Sequence, residues 1–97
     1  MLTVIETPLF QRQWPLYWTE DERGAFAAYL AETPAAGDVV PGSGGMRKVR
    51  WSRAGSGKSG GVRVIYFTRT AEGELVLDAV RQSQDGQPYW REIKGDS

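Results

Sequence analysis

Seven of the twelve basic residues, Arg47, Lys48, Arg50, Arg53, Lys58, Arg63 and Arg69, fall between residues 39 and 71, an interval without a single acid. All twelve carboxylates lie outside it, so a formal net charge of zero conceals a segregated charge. Clustered cations raise a local positive field that binds phosphate oxygens, with arginine forks gripping bidentately and lysines acting as point charges. The blander alternative is a solvated surface, or charges paired with distant carboxylates in the fold. Within the interval, "GSGKSGG" at 55–61 surrounds Lys58 with glycines and has the outline of a nucleotide-binding loop. Such a loop needs a glycine where this chain has Ser52, and a helix beginning at the Lys-Ser pair. The residues that follow, Val62-Arg63-Val64-Ile65-Tyr66-Phe67-Thr68, are β-branched and aromatic and read as a strand. The loop therefore joins two strands, which argues against binding of a nucleoside triphosphate.

The composition narrows the chemistry further. There is no cysteine and no histidine, hence no disulfide framework, no thiolate nucleophile and none of the commonest metal ligand or general base. Neither a metal nor a cofactor is expected. Ninety-seven residues suit a single domain with a modest core. No apolar run approaches the ~18 residues of a membrane span, and "MLTVIETPLF" lacks the basic start and cleavage site of a secretory signal. The expected location is the cytoplasm.

The elements that must position the basic residues follow from pattern. "LTVIET" reads as an opening strand, and Pro8 permits a helix start, with Leu9, Phe10, Trp14, Leu16 and Trp18 as an apolar stripe interrupted by Pro15. In "TEDERGAFAAYLAETP", Thr19 and Glu22 predict a capping box, Phe26, Tyr29 and Leu30 the buried face, and Pro34 the end of a helix. "AAGDVVPGSGG" is rich in turn formers and reads as a loop. Three strands are then predicted at 46–53, 62–68 and 74–80. Alternation puts Met46, Lys48, Arg50 and Ser52 on one face of the first, and Arg47, Val49, Trp51 and Arg53 on the other. In the second strand Arg63, Ile65 and Phe67 oppose Val62, Val64, Tyr66 and Thr68. Basic side chains among apolar ones on a sheet cost desolvation unless they meet anions at an open rim, or snorkel past their own stems to water.

The ordered series Gly37-Asp38-Val39-Val40-Pro41-Gly42-Ser43-Gly44-Gly45, Arg47-Lys48-Val49-Arg50, the glycine loop around Lys58 and Arg63-Val64-Ile65-Tyr66 resembles the RelE/ParE superfamily of type II toxins. The likeness is to its HigB-like branch and runs from residue 3 to about 77. Ser59 stands where that branch has an arginine. The resemblance implies a small RelE-like α+β domain, an antiparallel sheet of three to four strands with N-terminal helices on one face. It further implies a ribosome-dependent messenger RNA endonuclease, held inactive by a cognate antitoxin. Metal-free cleavage by the 2′-hydroxyl needs a proton acceptor, a cradle for the phosphorane and a donor for the leaving oxygen, none of which demands histidine. Crowding by cations lowers a lysine's pKa toward the working range. By similarity Lys48, Arg50 and Arg63 are the catalytic candidates, and Arg47, Arg53 and Lys58 the RNA-binding ones. Trp51 and Tyr66 could stack on bases, but both fall on the face opposite Lys48, where core packing is the stronger reading.

Beyond about residue 77 the sequence departs from the resemblance. Members of the branch run through a fourth apolar segment ending in Tyr-Ala-Lys or Tyr-Gly-Lys and then a polar helical tail, whereas 78–97 read "DAVRQSQDGQPYWREIKGDS", leaving Tyr89, Arg91 and Lys94 as candidates for the missing acid. An atypical tail favours weakened cleavage, or a non-catalytic relative that still binds antitoxin, ribosome or RNA. A gyrase-directed toxin of the ParE branch is the remoter alternative, since the Lys48/Arg50 pair suits RNA cleavage better.

Overall fold

The computed structural model describes residues 1–51 and 62–82. In chain order these form β1 (Thr3–Glu6), α1 (Pro8–Gln13), a 3₁₀ turn (Trp14–Leu16), α2 (Glu20–Glu32), β2 (Asp38–Val39), β3 (Arg47–Trp51), β4 (Val62–Arg69), a second 3₁₀ turn (Thr70–Glu72) and β5 (Glu74–Gln82). The strands make one five-stranded sheet in the order β1-β5-β4-β3-β2.

The α+β class is as expected, but the sheet has five strands rather than three to four and is not wholly antiparallel. β1 pairs in parallel with β5, from Thr3 opposite Glu74 to Glu6 opposite Leu77. The remaining pairs are antiparallel. β2 lies inside the segment expected to be a loop: two residues are too few to show a period, and only pairing with Arg47 and Lys48 makes them a strand.

Both helices start where their caps dictate. The Thr7 hydroxyl accepts from the Phe10 amide with Pro8 in the first turn, and Thr19 with Glu22 closes the predicted capping box on α2. Arg23 of α2 reaches Glu6 of β1 at 2.8 Å, also pairs with Glu20, and lies 5.5 Å from the Trp14 ring centroid. These contacts fix α2 against the sheet edge. The stripe is interrupted at Pro15 as expected, by a 3₁₀ turn, with Phe10 and Trp18 buried and Leu16 exposed.

The main core lies between the helices and one face of the sheet. Phe10, Trp18, Phe26 and Leu30 meet Val62, Val64, Tyr66, Leu75, Leu77 and Val80, with Val49 and Trp51 packed alongside. Each such apolar side chain, fully buried, contributes about 1.5–3 kcal/mol. An aromatic series, Phe10 to Trp18 to Phe26 to Trp51 to Tyr29, has centroid spacings of 5.0–6.4 Å. It anchors the end of β3 to α2.

Candidate nucleic-acid interface

The face of the sheet turned away from the helices carries the basic residues, and β3 and β4 set their positions. In the antiparallel register Lys48 is opposite Ile65, Arg50 opposite Arg63, and Trp51 opposite Val62. Val62 and Val64 are in the helix-side core, so the alternation expected from the sequence holds. Lys48, Arg50 and Arg63 share the distal face. Lys48 stands diagonally to Arg63, a relation that places their Cα atoms about 7–8 Å apart.

β5 adds a residue that the pattern alone did not single out. Arg81 is opposite Arg63, so Arg50, Arg63 and Arg81 form one row across three strands, about 10 Å from end to end. Simple alternation from Leu75 and Leu77 would send Ala79 and Arg81 into the helix-side core. The register shifts between Ile65 and Tyr66, with Ile65 opposite Ala79 and Tyr66 opposite Leu77, so Asp78 is the extra residue of a bulge. The phase changes there: Val80 turns into the core and Arg81 turns to the distal face. The sequence carried a signal, since the core residues run Leu75, Leu77, Val80, and a step of three in a period-2 strand marks a bulge. Arg63 and Arg81 also interact with other groups of the molecule.

Helix α1 steadies the bulged stretch. β1 ends at Glu6, so beyond Leu77 the outer edge of β5 has no strand neighbour. The Thr7 hydroxyl donates to the Asp78 carbonyl at 2.8 Å, and the Val80 amide donates to Gln13 Oε1 at 2.8 Å. Two edge groups are thereby satisfied by the helix rather than by a strand.

Arg47 is not brought to this row. It lies on the helix side opposite Tyr66, and its Nη1 donates to the Gly37 carbonyl at 2.6 Å. Tyr66 is fully buried; its hydroxyl donates to the Pro34 carbonyl and accepts from the Gly37 amide, both at 2.8 Å. Desolvation raises its pKa, an effect partly offset by the Gly37 hydrogen bond. A Cβ at Gly37 would lie 2.7 Å from the Lys48 carbonyl and 2.9 Å from the Tyr66 ring, so glycine lets the chain leaving α2 lie against β3. Tyr66 is a core residue and Trp51 packs, partly buried, against the core, as their face foretold. Arg53, Lys58 and the whole glycine loop lie outside the described residues, as do Tyr89, Arg91 and Lys94.

Among the described residues no group of three or more His, Cys, Asp or Glu side chains is placed to hold a metal ion. No described helix is long and apolar enough to cross a membrane. The row of guanidinium groups is suited to hold phosphate oxygens through charge-assisted, bidentate hydrogen bonds.

No family model matches the sequence. Solved structures do resemble it. A chain of the intact Escherichia coli RelBE toxin–antitoxin complex superposes with a TM-score of 0.67 at 12% identity, over 88% of this chain and 100% of that one. The isolated E. coli RelE toxin gives 0.65 at 13% identity over 100% of both chains. A free-state mutant of that toxin with two arginines replaced by alanine gives 0.65 at 13%, over 97% of this chain and 90% of its own. The α+β domain therefore has the RelE fold, and at these identities the likeness is one of fold.

Proposed function

We propose that this chain is the toxin of a toxin–antitoxin pair, of the HigB-like kind, and cleaves translated messenger RNA on the ribosome without a metal. The observation that carries the reading is the row of Arg50, Arg63 and Arg81 with Lys48 diagonal to its centre, all on one face. RelE, whose fold this chain shares, is a toxin found in complex with an antitoxin. A cognate antitoxin is accordingly the proposed protein partner, and ribosome-bound message the substrate.

In this mechanism Arg63 and Arg81 hold the non-bridging oxygens of the scissile phosphate, and their charge is matched best by the phosphorane, which has gained negative charge. Lys48 accepts the proton of the attacking 2′-hydroxyl, and Arg50 extends the phosphate track along the row. The proton for the leaving 5′-oxygen has candidates in Tyr89, Arg91 and Lys94. A second reading, a relative that binds but cleaves slowly, is favoured by the absence of the Tyr-Ala-Lys segment after residue 77.

Toeprinting of a translated message with the purified protein, alongside ribosome co-sedimentation, tests both. Lys48→Ala and Arg63→Ala are expected to lower cleavage by about 10²- to 10⁴-fold. Full cleavage by these variants sinks the assignment. Tight co-sedimentation with negligible cleavage by the unmodified chain selects the second reading.

A further inference from the structure

The distal face has two unlike ends. Along β3 it presents Lys48 and Arg50 with Met46 just before the strand, and along β4 Arg63, Ile65, Phe67 and Arg69, so Arg50 and Arg63 gather at one end and Met46 and Phe67 at the other. At the apolar end the β2–β3 turn and the β5 bulge enclose a pocket of about 400 Å³, with Met46 and Phe67 on its walls and the backbone of Gly44 and Gly45 along one side. Asp78, the extra residue of the bulge, also lines it. Desolvation raises the pKa of this carboxyl. Beside the pocket, Arg69 lies 5.9 Å from the Phe67 ring centroid and is held by Glu74 at 3.1 Å.

A purely aliphatic guest would desolvate Asp78 further and offer it no hydrogen bond, which is costly. The pocket therefore suits a flat, stackable guest that carries N–H donors. An ionised carboxylate only accepts, so it favours a base with two adjacent donors on one edge. Guanine has that edge in N1–H and N2–H, whereas adenine and cytosine pair one donor with an acceptor and uracil flanks one donor with two carbonyls.

We propose that this pocket takes a guanine base of single-stranded RNA, stacked on Phe67 beside the Arg69 guanidinium, with the Asp78 carboxylate accepting from N1–H and N2–H. Phe67 lies four positions along β4 from Arg63, about 13 Å at ~3.3 Å per residue, so the base belongs to a nucleotide flanking the phosphate on the arginine row. Lys48 lies between the two ends of β3 and spans the gap. Splayed single-stranded bases are read in this way, by stacking on aromatic or guanidinium planes and by hydrogen bonds to the Watson–Crick edge. The inference rests on the proposed RNA-binding role of the row and adds a base preference to it.

The test is fluorescence anisotropy with labelled ten-nucleotide RNAs: all adenine, all uracil, and each with one central guanine or inosine, which lacks the N2 amine. Wild-type protein is expected to bind the guanine-bearing strands about tenfold more tightly than the plain ones, and inosine to forfeit part of that gain. Asp78→Asn should erase the preference while leaving affinity for the plain strands within about twofold. Arg63→Ala should weaken every strand alike. Equal binding of all strands by the wild type overturns the guanine pocket and leaves the arginine row standing. Preference surviving in Asp78→Asn, or undiminished by inosine, overturns the role of the carboxylate. Absence of all RNA binding overturns the pocket, while the proposed cleavage on the ribosome stands or falls on the toeprint.

Discussion

Asp78 holds a carboxylate in a half-buried place beside Phe67, and desolvation keeps its pKa above the ordinary carboxylate value. A carboxyl whose folded pKa exceeds its unfolded one opposes folding at pH values where the folded form is ionised. The opposition shrinks as pH falls through the raised pKa, and it is absent below the unfolded value of about 3.9, where both states are protonated. Asp78→Asn is therefore expected to raise the thermal midpoint at pH 7 and to lose most of that gain at pH 3. Unfolding curves of both proteins at the two pH values check it, and an equal gain at both would mean that packing rather than charge is responsible. A fold that keeps such a residue sacrifices some stability at neutral pH, as sites that bind polar ligands do. In the sequence Asp78 stands as the first residue of the departing tail, and only the step of three from Leu77 to Val80 announces the bulge that it occupies.

Among the elements, α1 does more than contribute Phe10 to the core. It takes over the outer edge of β5 where β1 stops, through Thr7 at the Asp78 carbonyl and Gln13 at the Val80 amide. Gln13→Ala leaves a buried amide without its acceptor, for which the expected cost is about 1–3 kcal/mol. Thermal unfolding reads the loss, and faster exchange of the Val80 amide proton, with the Val64 amide little changed, localises it. Uniformly faster exchange across the sheet would show instead that the variant destabilises the molecule globally. How much of this was legible depends on range. The capping box, the faces of β3 and β4 and the core role of Trp51 and Tyr66 follow from spacings of two to four residues, and the structure has each of them. The parallel partner of β1 and the two-residue β2 depend on pairings between residues about ten to more than seventy apart, which no local period encodes, whereas the face of Arg81 was legible only through the step of three at the bulge.

At the scale of the whole molecule, the described residues gather one cationic patch on the distal face. Lys48, Arg50, Arg63 and Arg81 stand together on the distal side of the sheet, while Glu20, Asp21 and Glu22 open α2 and Glu6 is bound to Arg23. A chain of zero formal charge thus carries a local cationic patch, and its field rather than net charge would steer encounters with the proposed partners, an acidic antitoxin segment or RNA. Exposed charges are screened within about 8 Å at physiological ionic strength, so such steering fades with salt. The association rate of the proposed antitoxin is expected to fall as sodium chloride rises from 50 to 500 mM. Arg50 is the exposed member of the row, and Arg50→Glu should flatten that dependence, with the dissociation rate changing less than the association rate. Stopped-flow or surface-based kinetics of the wild type and the variant measure both constants. Rates indifferent to salt in the wild type would mean that the antitoxin is held by apolar contact, and the row of arginines would then be reserved for RNA alone.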